Sequence, residues 1–128
     1  MKFDLSKTQE ELNDFIKIYE KATNSHDFDK VEPLVDNNAT YRFTNDFYKG
    51  LNQIRKAFEA TWKKIDKEKY RIKNIKWIVV SDTVAGCYYD FEWNGEVNGH
   101  KTSGKGNGTN ILVKQGGKWF VRHEHLSN

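Results

Sequence analysis

The sequence predicts an α+β domain, and three observations carry the prediction. Helical periodicity is confined to the first half of the chain. After Lys69 the chain reads as four long strands broken by turn residues. Helices first and antiparallel strands afterwards is the order of helices packed on one side of a sheet. The 128 residues suit one domain, 1–128, and eight Phe, six Tyr and four Trp supply bulk for its core.

Taken in order, Ser6 to Asn24 reads as a helix. Ser6 is placed to cap it, Gln9 follows three residues on, and Leu12, Phe15, Ile16 and Tyr19 recur at helical spacing. "NSHDFD" breaks the pattern. Phe28 to Val35 makes a short second helix with Asp27 as its cap. "NNATYRFT" is a first strand, and Gly50 ends that region. Leu51 to Ile65 is a third helix with the stripe Ile54, Phe58, Trp62 and Ile65. The strands are Tyr70–Ser81, Thr83–Trp93, Gly104–Lys114 and Lys118–Ser127. Asp82, the loop "NGEVNGHKTSG" and "QGG" separate them.

Composition narrows the function. A net charge of +3 with no basic block argues against nucleic acid as the main partner. One cysteine excludes an internal disulfide and a Cys-based zinc finger. The opening "MKFDLSKTQEEL" has no apolar signal core and no apolar run approaches a membrane span, so a cytoplasmic protein with no membrane contact is expected.

Strand parity sorts the sheet into two faces. Face one holds Ile75, Trp77, Val79, Ala85, Cys87, Tyr89, Phe91, Trp93, Ile111, Val113, Trp119 and Val121. Face two mixes apolar groups with Asp90, Glu92, Asn110, Arg122 and Glu124. This sorting assumes a bulged Gly116-Gly117 hairpin. It pairs Val113 with Trp119, Leu112 with Phe120 and Asn110 with Arg122, and is preferred because it keeps apolar with apolar. Composition alone would pack face one on the helices and turn face two to water.

The order of elements resembles the cone-shaped nuclear-transport-factor-2-like fold, and its SnoaL-like branch most closely. The stretches that carry this are "ATNSHDFDKVEPLVDNNATYRF", "YKGLNQIRKAFEATW" and "GKGNGTNILVKQGGKWFVRHEHLS". The ending is also similar to the association domain of calcium/calmodulin-dependent protein kinase II. The resemblance implies a long N-terminal helix and two further helices packed in a strongly curved, mixed but mainly antiparallel sheet. It reverses the faces. The concave side would enclose a pocket lined by Trp62, Asp90, Asn110 and Leu126, with Arg122 and Glu124 pointing inward beside Leu126. Tyr41, Ile54, Phe58, Tyr88, Leu112 and Phe120 complete the expected lining. Face one would become a homodimer interface through Trp77, Tyr89, Phe91, Trp93 and Trp119. The association domain carries arginines where this chain has Asp90, Asn110 and Leu126, so a neutral or cationic ligand is expected here.

Within that pocket Asp90, Glu92 and Glu124 with Arg122 form the main chemical constellation. Carboxyls in an apolar pocket can be driven to different pKa values, one acid and one base, as related cones such as ketosteroid isomerases do. Asp90 is the expected base, Glu124 the acid or second carboxylate, and Arg122 the group that orients them. The alternative is an Arg122–carboxylate pair that only neutralises a buried position. The expected activity is isomerase, cyclase or hydrolase chemistry on a small, largely apolar compound without a cofactor. The other reading is a non-catalytic binding or dimerisation module. His123 and His125 have the spacing of two metal ligands but lack a third, so no metal is expected. Asp27 beside His26 is read as a helix cap, and Cys87 as inert packing.

Overall fold

The computed structural model describes residues 2–128. Helix α1 spans Leu5–Asn24 and buries Leu12, Phe15, Ile16 and Tyr19. Its cap is Asp4, whose carboxylate accepts from the Lys7 amide at 3.1 Å, so Ser6 lies within the first turn instead. Helix α2, Phe28–Val31, is capped by Asp27 as expected, but it is one turn long. The chain tightens into a 3₁₀ turn over Glu32–Leu34, because Pro33 has no amide to continue the helix. Strand β1 covers Val35–Phe43 and pairs with a strand not foreseen, β2, Asp46–Lys49. Helix α3 runs Leu51–Lys64 and buries Ile54, Ala57 and Phe58.

Strands β3 (Asp66–Val80), β4 (Val84–Val97), β5 (His100–Gln115) and β6 (Lys118–Ser127) complete the chain. The expected loop between β4 and β5 is their own hairpin. Asn98 and Gly99 turn it at φ 53° and 79°, the doubly left-handed geometry that suits the right-handed twist of the strands. The sheet order is β2-β1-β6-β5-β4-β3. Only β1 and β6 are parallel, so the α+β, mainly antiparallel expectation holds. Among the described residues, no helix is long and apolar enough to cross a membrane.

The β5–β6 hairpin differs from the expected register. Gly116 and Gly117, at φ 57° and 79°, make a plain two-residue turn, which sets Leu112 opposite Val121 and Val113 opposite Phe120. The irregularity lies farther along. Asn110 pairs with Glu124 and Ile111 with His123, which leaves Arg122 as an extra residue. Leu112 therefore joins the interior at 0% exposure, while Ile111 turns out to solvent at 41%.

This decides which face is which. Ala85, Cys87, Tyr89, Phe91, Trp119 and Val121 are buried within the single chain, and Trp77 and Trp93 pack against the same core. Face one of β4 and β6 thus covers the helices, as composition alone predicts, and is not available as the dimer surface that the resemblance implied. The β4 aromatics lean across the neighbouring strand. Tyr89, Phe91 and Trp93 pair with Gly108, Gly106 and Gly104. A Cβ on Gly106 would stand 2.7 Å from the Phe91 ring. Three side-chain-free positions let three rings lie down on β5, and this shapes the inner surface at that end of the sheet.

Candidate functional site

The site grows from the extra residue in β6. Strict alternation would put Glu124 on the face opposite Val121. The bulge at Arg122 restores it to the inner face, and Glu124 is left 2% exposed. It sits in a row across the middle of the sheet. Tyr41 of β1 is its neighbour on one side, and Asn110 of β5, then Cys87 of β4, lie on the other. Tyr19 descends on this row from the buried face of α1.

Glu124 Oε1 accepts the Tyr19 hydroxyl at 2.9 Å and the Asn110 side-chain amide at 3.2 Å. Tyr19 gives its one proton to Glu124, so the 2.7 Å contact between the Tyr19 and Tyr41 hydroxyls is donated by Tyr41. Tyr89 in turn donates to Asn110 Oδ1 at 2.9 Å. Three phenols and an amide thus converge, directly or at one remove, on one carboxylate oxygen. No protein donor among the described residues reaches the other oxygen, Oε2.

Burial raises the Glu124 carboxyl to about 7, against the downward pull of its hydrogen bonds from Tyr19 and Asn110. The phenols of Tyr19, Tyr41, Tyr70 and Tyr89 are pushed well above their ordinary range, by burial first and then by the charge of Glu124. They therefore remain protonated donors. Burial also pushes the Cys87 thiol up to about 12, as expected of inert packing.

Glu124 forms part of the wall of a cavity of about 410 Å³ between α1, α3 and the sheet. Phe43, Phe58, Trp62, Phe91 and Trp93 supply aromatic surface, and Leu126 an aliphatic one. The wall also holds a second carboxyl, Glu68, raised to about 7 by burial. His26 accompanies it, stacked on Trp62 with ring centroids 5.5 Å apart and with Nε2 2.9 Å from the Glu68 carbonyl oxygen. Thr44, also in the wall, holds φ 56°, a rare conformation for a β-branched residue, while its amide donates to the Leu126 carbonyl at 2.7 Å.

Of the expected lining, Glu124, Phe58, Trp62 and Leu126 face this cavity. Asn110 stands behind Glu124 and holds it, Tyr41 bonds the Tyr19 hydroxyl, and Ile54 and Leu112 are core. Asp90, Arg122 and Tyr88 are exposed on the outer face, and Phe120 is half-buried there opposite Val113. Asp90 accepts from the Asn74 side chain at 2.9 Å, Arg122 donates to the Asn38 carbonyl, and Glu92 pairs with Lys73 at 2.8 Å. The expected set of Asp90, Arg122 and Glu124 is thus divided by the sheet itself. Parity puts Asp90 outside, and the bulge separates Arg122 from Glu124. His123 Nδ1 contacts the Thr40 hydroxyl at 2.7 Å. No group of three or more His, Cys, Asp or Glu suited to a metal exists among the described residues.

Sequence reasoning missed Tyr19, Thr23, Glu68 and Tyr70 in the wall. One signal was present: Tyr19 and Thr23, four apart, put hydroxyls on the face of α1 that is otherwise apolar. Glu68 was hidden in the run "WKKIDKEKYRIK".

Among solved structures the chain is similar to a nuclear transport factor 2-like superfamily protein of Salmonella enterica serovar Typhimurium LT2. Identity is 17% over 98% of this chain and 93% of that one, with a TM-score of 0.89. A Xanthomonas campestris protein provisionally named a calcium/calmodulin dependent protein kinase II association domain matches at 22% identity, 91% and 84% coverage and a TM-score of 0.81. A provisionally named scytalone dehydratase from Novosphingobium aromaticivorans gives 16%, 92% and 81%, and 0.81. Likeness at these identities establishes the fold. No curated protein matches the chain. Residues 12–128 match the model of the SnoaL-like domain, and the chain belongs to that family.

Proposed function

We propose that this chain binds a small, mostly apolar compound in the cavity and moves a proton on it with Glu124, without a cofactor. The observation that carries this is one buried carboxyl in an aromatic-walled cavity, fixed through Oε1, unpartnered at Oε2 and raised to about 7. A carboxyl at that value is present in both protonation states near neutral pH, so it can take a proton and return it. A single such group suits an isomerase or cyclase, where one proton leaves and re-enters the same molecule. Asp90 and Arg122 have no part in it, because they lie on the other side of the sheet.

The test is hydrogen exchange at carbon. Small cyclic ketones are incubated with the protein in D₂O and followed by NMR. Wild type is expected to accelerate exchange beside the carbonyl, Glu124→Gln to lose it by about 10²-fold or more, and Asp90→Asn to keep it. Exchange that survives in Glu124→Gln refutes the assignment. Ketones that bind without exchanging favour a non-catalytic binding module.

We also propose that two copies pair through the outer face of the sheet. Ile78, Val79, Val84, Tyr88 and Ile111 are 63, 53, 40, 50 and 41% exposed there. The ladder groups them, with Gly86 beside Ile111 and Val84 beside Val113. A clustered apolar surface on a sheet favours a subunit contact.

A further inference from the structure

Two carboxyls in the cavity wall have nothing to offset their charge. Glu68 and Glu124 both line it. No hydrogen bond and no neighbouring cation relieves the burial of Glu68, and Glu124 is bonded through Oε1 alone. Lys64, the cation in the same wall, is exposed and offsets neither. Both carboxyls are within reach of a ligand. Among the described residues, the side-chain atoms that lack a partner and are also sealed from solvent belong to Thr23, Tyr70 and Trp119, and no carboxylate oxygen is one of them.

Local structure brings Glu68 beside Trp62. Between the pairs Asp66–Glu96 and Lys69–Asn94, two residues of β3, Lys67 and Glu68, oppose Gly95 alone. Lys67 takes up the bulge at φ 54° and is exposed. Beyond it Glu68 shares the inner face with Tyr70, two residues on. The His26 ring stacks on Trp62, and its Nε2 lies 2.9 Å from the Glu68 carbonyl oxygen. One ring thus ties the Glu68 backbone to the end of α3 that carries Trp62. Phe43, Phe58, Phe91 and Trp93 continue the wall.

We infer that the ligand is an organic cation, a protonated amine on an apolar body, and that Glu68 is its counter-ion, set against Trp62. The inference rests on the cavity being the ligand site, as proposed above, and leaves the proton chemistry to Glu124. The choice among ligand charges follows from the wall. A neutral apolar ligand would strip water from both carboxyls and return no interaction to either. An anion would add repulsion. An ammonium group gives Glu68 a charge-assisted hydrogen bond, and the faces of the rings attract its charge.

Three naphthalenes of similar size separate these cases: 2-(aminomethyl)naphthalene, its neutral counterpart 2-naphthalenemethanol, and 2-naphthoate. They are titrated at pH 8, where both carboxyls are largely ionised and the amine is protonated. Wild type is expected to bind the amine about ten- to a hundredfold more tightly than the alcohol, the range of a hydrogen bond to a charged group, and the naphthoate most weakly. Glu68→Gln should remove most of that preference, leave the alcohol's affinity unchanged and melt no lower than wild type. Trp93→Ala should weaken amine and alcohol together, which fixes both in the cavity. An alcohol that binds as tightly as the amine, or a preference untouched by Glu68→Gln, overturns the inference while leaving the cavity as the ligand site. Tightest binding of the naphthoate, or amine binding indifferent to Trp93→Ala, overturns it too. No binding by any of the three removes the cavity reading and this inference together.

Discussion

Glu124 shows how one residue couples stability to chemistry. Its carboxyl is raised to about 7 in the folded protein against an ordinary 4.5. Between those values the folded state holds more protons than the unfolded one, so stability is greatest below the ordinary value and falls as pH rises through the folded one. The loss should approach roughly 3 kcal/mol once ionisation is complete. The melting temperature is therefore expected to drop between pH 5 and 8 in wild type and much less in Glu124→Gln. Glutamine can still accept from Tyr19 and Asn110 but cannot ionise. Parallel pH profiles for the two proteins would place the titration elsewhere, with Glu68 the next group to substitute. The importance of Glu124 was legible through the family resemblance, which turned it toward the pocket beside Leu126. Its companions were misread, because residue type does not reveal which side of a strand a side chain takes beyond a bulge.

At the scale of elements, two strand features shape the site. The bulge at Arg122 aims Glu124 inward, and the glycines of β5 leave room for the aromatic rings of β4. Gly106→Ala is expected to destabilise the protein by about 1–3 kcal/mol, the usual cost of overpacking. Its methyl would press on the Phe91 ring at 2.7 Å and on the Ser127 carbonyl. Urea unfolding checks this, with an unchanged m-value expected if the effect is local. A variant as stable as wild type would mean that the sheet yields there at little cost. The main helices and the last four strands could be read from their periodicity. β2 could not, since its four exposed or half-exposed residues carry no alternation of burial. The β4–β5 loop was misread although "NG" at Asn98-Gly99 is a strong hairpin signal, because the polar, glycine-rich residues around it looked like a loop.

For the whole molecule, the inner face of the sheet is committed to helices and cavity, and the outer face is free to meet another subunit. A dimer mass at micromolar concentration by light scattering is expected, and Ile111→Glu or Tyr88→Glu should shift it to a monomer that keeps its fold. A monomeric wild type would refute pairing through this face.

The sequence by itself determined the class of fold, the long α1 and the strand-rich second half. These are properties of periodicity and composition, and local chemistry writes them directly into the chain. The tertiary structure alone decided which face of the sheet turns inward and which carboxyls share a cavity. Each of those depends on a register, and a shift of one residue in a strand moves every side chain beyond it to the opposite face. One extra residue, Arg122, makes that shift here. It separates the three charged groups that the sequence had seemed to gather and leaves Glu124 among the phenols.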